Sequence, residues 1–114
     1  MVDLSKQARG TWGEQRAARW YQDAGYTILE RNWRTRTGEI DLIVRNNNEI
    51  VFCEVKARRS NSVGTASEAV NWRKQKRIRT LAAQWLKENN QHGQVRFDVV
   101  AITGNQINVI EAAF

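Results

Sequence analysis

The chain has no proline, one cysteine and one histidine in 114 residues, and each scarcity removes a class of chemistry. A lone cysteine excludes an intramolecular disulfide and any zinc site built on clustered cysteines. Cys53, beside Val51 and Phe52, reads instead as a small buried hydrophobe. The lone His92 sits in the polar break Asn90-Gln91-His92-Gly93, so neither a zinc site nor a histidine-dependent triad is available. No apolar run approaches the ~20 residues that a membrane span needs. The segment Met1-Val2-Asp3-Leu4-Ser5-Lys6 lacks the apolar core of a signal peptide. The expectation is a cytoplasmic protein with no membrane partner. Acidic residues are outnumbered 12 to 18 by basic ones, and the net charge of +6 favours a polyanionic partner. The length suits one domain, 1–114, with a single modest core.

The hydrophobic pattern orders the elements. Residues Thr11 to Ala24 carry a helical stripe (Gly13, Ala17, Ala18, Trp20, Tyr21, Ala24), and Gly25 is placed to end it. Tyr26 to Trp33 alternates as a strand. Asp41 opens the apolar run Leu42-Ile43-Val44, and Glu54 and Lys56 close the run Ile50-Val51-Phe52-Cys53. The linker Arg45-Asn46-Asn47-Asn48-Glu49 suits a hairpin turn, because asparagine tolerates left-handed backbone. Residues 1–10 and 58–66 read as mobile segments. Thr65-Ala66-Ser67-Glu68 has capping-box spacing and predicts a helix from near Ser67 to about Asn89. Two more strands, Val95 to Ile102 and Ile107 to Glu111, follow. The order α-β-β-β-α-β-β predicts an α/β sandwich. Its central sheet should be mixed, because the second helix is long enough to act as a crossover.

The chemistry concentrates in two short motifs, Gly38-Glu39-Ile40-Asp41 and Glu54-Val55-Lys56. Glu54 and Lys56 are two apart and share a strand face. The hairpin brings Asp41 toward the same end of the sheet. Two carboxylates and an ammonium on otherwise apolar strands need partners or a metal. A structural salt bridge from Lys56 to one carboxylate is the competing reading. Asp41, Glu54 and the carbonyl beside Glu54 could hold Mg²⁺ or Mn²⁺, hard ions that prefer oxygen ligands. Glu39 reads as a polar residue where the strand begins rather than as a third acid. For Glu14 the spacing leaves two readings open. It could cap a helix beginning at Thr11, or lie in the middle of one beginning at Ser5. Arg58, Arg59, Arg73, Lys74, Lys76 and Arg77 surround the motifs in sequence and read as a phosphate-tracking surface. On the helix, Lys74 and Gln75 tend inward while Arg73, Lys76 and Arg77 fan outward. Of the five tryptophans, Trp20 and Trp85 lie on helix stripes and read as core. Trp33 and Trp72 have basic neighbours suited to stacking on bases or arginine, though partly buried packing is the expectation. Arg96 and Asp98 read as a structural ion pair.

Taken together, Gly25-Tyr26, Arg31-Asn32, Gly38-Glu39-Ile40-Asp41-Leu42-Ile43, Phe52-Cys53-Glu54-Val55-Lys56, Lys74-Gln75 and Arg96-Phe97-Asp98-Val99-Val100 resemble the YraN family of small bacterial proteins. The likeness runs from about Gly13 to Phe114. The family is similar to the restriction-endonuclease-like fold and to archaeal-type Holliday junction resolvases. The resemblance implies that Asp41, Glu54 and Lys56 correspond to the Asp, Glu and Lys of the nuclease signature PD-(D/E)xK. It implies that Glu14 corresponds to the helical acid of the resolvases and Gln75 to a helix glutamine or lysine beside such sites. The signature proline is missing, since Ile40 precedes Asp41. Three functions follow as expectations: a metal-dependent endonuclease acting on DNA, including branched or repair intermediates; a non-catalytic nucleic-acid-binding module; and an interaction subunit docked through its tryptophans. The resolvase analogy adds a homodimer as an expectation.

Overall fold

A computed structural model of the chain describes residues 4–58 and 70–114, with residues 4–10 and 58 described by their backbone alone. Helix α1 (Leu4–Asp23) is followed by β1 (Thr27–Thr35), β2 (Gly38–Arg45) and β3 (Glu49–Arg58). Helix α2 (Trp72–Glu88) precedes β4 (Gln94–Thr103) and β5 (Gln106–Ile110). The five strands form one sheet in sequential order, β1-β2-β3-β4-β5. β3 and β4 run parallel, and the other neighbours pair antiparallel. The expected order of elements and the mixed sheet are both present. No helix among the described residues is long and apolar enough to cross a membrane.

Both helices end in the same hydrogen-bond pattern. Gly25 adopts φ +94, its amide donates to the Gln22 carbonyl, and the Tyr26 amide donates to the Tyr21 carbonyl. This Schellman arrangement satisfies carbonyls that the helix would leave orphaned. At the end of α2, Asn90 (φ +51) takes glycine's place, with Asn90 N–H to Lys87 and Gln91 N–H to Leu86. The start of α2 differs from the capping-box expectation. Asn71 is the cap, its side-chain oxygen accepting from the Lys74 amide at 3.0 Å. The predicted starting residues Thr65 to Glu68 lie outside the described residues, as do Arg59 and most of the 58–66 segment.

The sheet separates two apolar layers. On one face α1 buries Ala17, Ala18 and Tyr21 against Leu42, Val44, Val51, Cys53, Val100 and Ile102. On the other, α2 buries Ile78, Leu81, Ala82 and Trp85 against Ile40, Ile43, Ile50, Phe52, Phe97 and Val99. Each large side chain so buried contributes about 1.5–3 kcal/mol. α1 lies unusually close to β3. A Cβ added at Gly13 would come within 2.9 Å of Ala57 Cβ. That close approach sets how far along β3, and at what height, the next residue Glu14 stands.

A second polar cluster ties the α1 face to the far end of β4. Asp98 is fully buried. It accepts from Tyr21 Oη at 2.7 Å, from the Ala112 amide at 3.0 Å and from Arg96 through both Nε and Nη2. Arg96 also reaches Glu49 and Tyr26. The expected Arg96–Asp98 pair is therefore present within a larger network. Its bonds to Asp98 hold the Arg96 guanidinium firmly in its charged form.

Candidate active site

The hairpin expectation places Asp41 opposite Glu54, but the β2–β3 ladder stops one step earlier, at Leu42–Cys53. Beyond it the strands part, and the Asp41 side chain enters the gap. Asp41 Oδ2 accepts the Val55 amide at 2.8 Å, replacing the ladder bond that the backbone no longer makes. The neighbours of Asp41 show the distortion. Ile40 packs beneath α2 and Leu42 beneath α1, although residues two apart on a regular strand share a face. On β1, Asn32 falls between the pairs Arg31–Leu42 and Trp33–Ile40, and it has φ +51. Asparagine is among the residues that enter the left-handed region most readily.

This switch lets Asp41 border clefts on both faces of the sheet. On the α1 face it lines a cleft of about 140 Å³ with Thr11, Glu14, Gln15, Arg31, Asn32 and Leu42. On the α2 face it lines one of about 260 Å³ with Gly38, Glu39, Glu54, Lys74, Arg77 and Ile78. Asp41 is 9% exposed and Glu54 7%. Burial pushes the Asp41 carboxyl up to about 7, and Glu54, Glu14 and Glu39 add to the rise against the Val55 bond.

Two ammonium groups meet Glu54. Lys74 Nζ, from the first turn of α2, lies 2.5 Å from Glu54 Oε1, and Lys56 Nζ lies 3.5 Å from the same oxygen. Burial lowers the Lys56 ammonium, and its contact with Lys74 lowers it further. For Lys74, burial works downward, but its bond to Glu54 and the neighbouring negative charges outweigh it and leave it raised. One carboxylate thus organises two lysines, of which Lys74 lines the cleft.

The sequence model described as "Uncharacterised protein family UPF0102" matches residues 13–102. This chain belongs to that family. A UPF0102 protein of Rhodococcus opacus is 53% identical over 96 residues, covering 83% of this chain and 81% of its own length. One from Frankia alni is 49% identical over 104 residues, covering 90% and 87%. One from a Sulfurihydrogenibium species is 41% identical over 112 residues, covering 97% of each chain. The matched span holds both acidic motifs and both helices' inner faces.

Within this UPF0102 chain, Asp41 shares one cleft with Glu14 and the other with Glu54, and Lys56 meets Glu54. Glu14 lies in mid-helix, since α1 begins at Leu4, so the Thr11 capping reading does not hold. Glu39 is exposed and pairs with Arg34 at 3.1 Å. Gln75 donates through Nε2 to the Val70 carbonyl at 2.9 Å, which places it on the backbone leading into α2. Arg73, Lys76 and Arg77 are exposed, whereas Lys74 is drawn inward to Glu54. Arg58 and Arg59 as side chains lie outside the described residues. Trp33 is partly buried, as expected; Trp72 is not, standing 67% exposed. It occupies the first position of α2, ahead of the turn whose inner face begins to pack at Ile78.

Two arginines at the site's margin escaped the sequence reading. Arg34 and Arg36 line an open concavity of about 470 Å³ at the β1–β2 hairpin, which shares Gly38 and Glu39 with the acidic cleft. The run Arg34-Thr35-Arg36-Thr37 was the available signal, but linear distance from Glu54 hid its relevance.

Among the described residues, no group of three His, Cys, Asp or Glu side chains converges as a metal cage. A cation here would draw on Asp41 and Glu54. Their hard oxygen donors suit Mg²⁺, which commonly binds through one or two carboxylates plus waters and substrate phosphates. Burial is the main cause of the raised Asp41 carboxyl, and the Glu54 charge adds to it.

Proposed function

We propose that this protein is a metal-dependent nuclease that hydrolyses phosphodiester bonds in DNA, using Asp41, Glu54 and Lys56. The observation that carries the reading is the meeting of two nearly buried carboxylates with two lysines where β2 and β3 part. Buried charge of this density is maintained by a partner, and a phosphodiester with a divalent cation is the partner whose charges complement it. The strand order and the spacing Asp41…Glu54-x-Lys56 also support a restriction-endonuclease-like fold. A bound Mg²⁺ or Mn²⁺ would supply a more acidic water and neutralise charge on the phosphoryl oxygens. The residues themselves do the rest. Lys56 orients the attacking water beside Glu54. Lys74 leaves Glu54 to meet a non-bridging phosphate oxygen. Glu14, which shares the α1-face cleft with Asp41, orders water on that side of it. Water adds across one P–O ester bond, its oxygen joining phosphorus as the leaving oxygen takes up a proton.

A second reading, a non-catalytic nucleic-acid-binding module, is favoured by one contact. Lys74 and Lys56 already neutralise Glu54 where a metal would sit. The deciding experiment is calorimetry with Mg²⁺ and Mn²⁺ on the wild type and on Asp41→Ala and Glu54→Ala. It is followed by cleavage of single-stranded, flapped and four-way DNA. Metal binding and cleavage that both vanish in the variants support the nuclease. Cleavage that survives both variants overturns it. DNA binding that falls steeply with salt but recruits no metal establishes the module.

A further inference from the structure

Trp72 is 67% exposed, far from the usual state of so large an apolar side chain. Neither apolar layer uses it, and it has no part in the contacts of Glu54. It is the first residue of α2, with the Arg73 guanidinium 5.6 Å from its ring centroid. Two residues on, Lys74 reaches into the acidic cleft. At about 100° per residue Lys74 turns to the opposite side of α2 from Trp72, while Lys76, four residues on, shares the Trp72 face. Lys76 and Arg77 continue the exposed basic surface along the same helix, and Arg77 lines the cleft with Glu54. Trp12 is the other exposed tryptophan, at 42%, and it has its own arginine neighbour, Arg16. That arginine is fastened to the Asn105 carbonyl in the β4–β5 turn, so the pair belongs to the α1 face.

We infer that Trp72, backed by Arg73, is a stacking platform for an unpaired base of the strand whose phosphates meet Lys76 and Arg77. The chain would then select single-stranded or locally unpaired nucleic acid over continuous duplex. Bases inside a duplex have both faces covered by their neighbours, while an unpaired base offers a π face to an exposed indole. Stacking of this kind tolerates any sequence, because every base has such a face. The guanidinium against the indole adds a cation that a base and its phosphate can share. Charge complementarity points to the same occupant, since the platform opens onto cations and the whole chain carries +6. The inference rests on the phosphodiester reading solely for the course of the strand past Arg77.

The test compares a short oligothymidylate with a blunt duplex of equal length. Binding is read by tryptophan fluorescence and anisotropy in EDTA, so that nothing is cleaved. Trp72→Ala should weaken oligothymidylate binding about 5- to 150-fold, the range that one aromatic–base stack supports. It should leave duplex binding unchanged. Trp72→Phe should retain most of the affinity while losing the fluorescence quench, and Trp12→Ala should behave as wild type. Equal losses on both nucleic acids, no loss with Trp72→Ala, or no oligothymidylate binding by the wild type would each overturn the platform. The two readings fail separately. A Trp72-dependent preference beside cleavage that ignores Asp41 and Glu54 leaves the platform and removes the nuclease. Asp41-dependent cleavage with no Trp72 effect does the reverse.

Discussion

Asp41 Oδ2 takes the Val55 amide at 2.8 Å, so a side chain closes the hydrogen bond that the parting strands β2 and β3 leave open. Asparagine can accept the same bond without the charge. Asp41→Asn should therefore keep the fold and relieve the repulsion from Glu54. Burial and that repulsion raise the Asp41 carboxyl from 3.8 to about 7. A carboxyl whose folded value is raised gives full stability below its unfolded value, and that stability is lost as pH rises toward the folded one. Wild-type stability should accordingly fall between about pH 4 and 7, a slope that Asp41→Asn removes. At pH 8 the variant should be more stable by roughly 1–3 kcal/mol. Urea denaturation across pH checks both, and an unchanged slope would count against the assigned burden on Asp41.

Lys74 gives a prediction on the proposed reading that runs in two directions. Its ammonium neutralises Glu54 and so competes with a divalent cation for the same carboxylate. Lys74→Ala should tighten Mg²⁺ binding about 5-fold, the equivalent of roughly 1 kcal/mol for a partly exposed pair. The same variant should cleave DNA more slowly, because the phosphate loses its lysine. Calorimetry and a cleavage assay read the two effects independently. Weaker metal binding in Lys74→Ala would mean that the lysine organises the site rather than competing within it.

The extent to which these features were legible in the sequence follows from their range. Element order was readable, because periodicity and turn chemistry are local. The acidic pair was readable too, since Glu54 and Lys56 interrupt an apolar strand and share its face. The switch at Asp41 was not. Period-two alternation puts Ile40 and Leu42 together, and nothing in the spacing shows that the strand turns over between them. The left-handed backbone at Asn32 stands on β1 between the partners of Ile40 and Leu42, a position set by strand register. Lys74 was grouped with the outward-facing phosphate contacts although the stripe turned it inward; its meeting with Glu54 depends on how α2 crosses β3. Gln75 was assigned to the site from resemblance, and the Val70 carbonyl takes its amide instead. Cap choice was a local ambiguity, Asn71 serving where Thr65 to Glu68 had the box spacing.

The Asp98 network supplies a stability prediction away from the site. Removing Arg96 would leave a fully buried carboxylate with the Tyr21 hydroxyl and the Ala112 amide but no counter-charge. Arg96→Ala should destabilise the fold by about 3–5 kcal/mol. Tyr21→Phe removes one bond to the same carboxylate and should be milder, about 1.5–3 kcal/mol. Chemical denaturation of both variants at neutral pH gives the ranking, and an Arg96→Ala loss no larger than that of Tyr21→Phe would count against the role of the counter-charge.

Gly13 links the packing of α1 to the placement of Glu14. An alanine there gains about 1 kcal/mol of helix propensity. Its Cβ, however, would stand 2.9 Å from Ala57 Cβ, and neither atom can rotate away. Overpacking of this kind costs about 1–3 kcal/mol, so the clash should exceed the propensity gain. The helix then lifts from β3 and carries Glu14 out of the cleft it shares with Asp41. Gly13→Ala should therefore lose stability and, on the proposed function, cleavage as well. Ala57→Gly opens space directly beneath the new methyl. The double variant Gly13→Ala/Ala57→Gly should recover both, which an effect of helix propensity or of strand weakening alone cannot do. Thermal melts and cleavage rates on the four proteins of this cycle measure the coupling. Additive losses would show that α1 is held at its height by contacts other than this one.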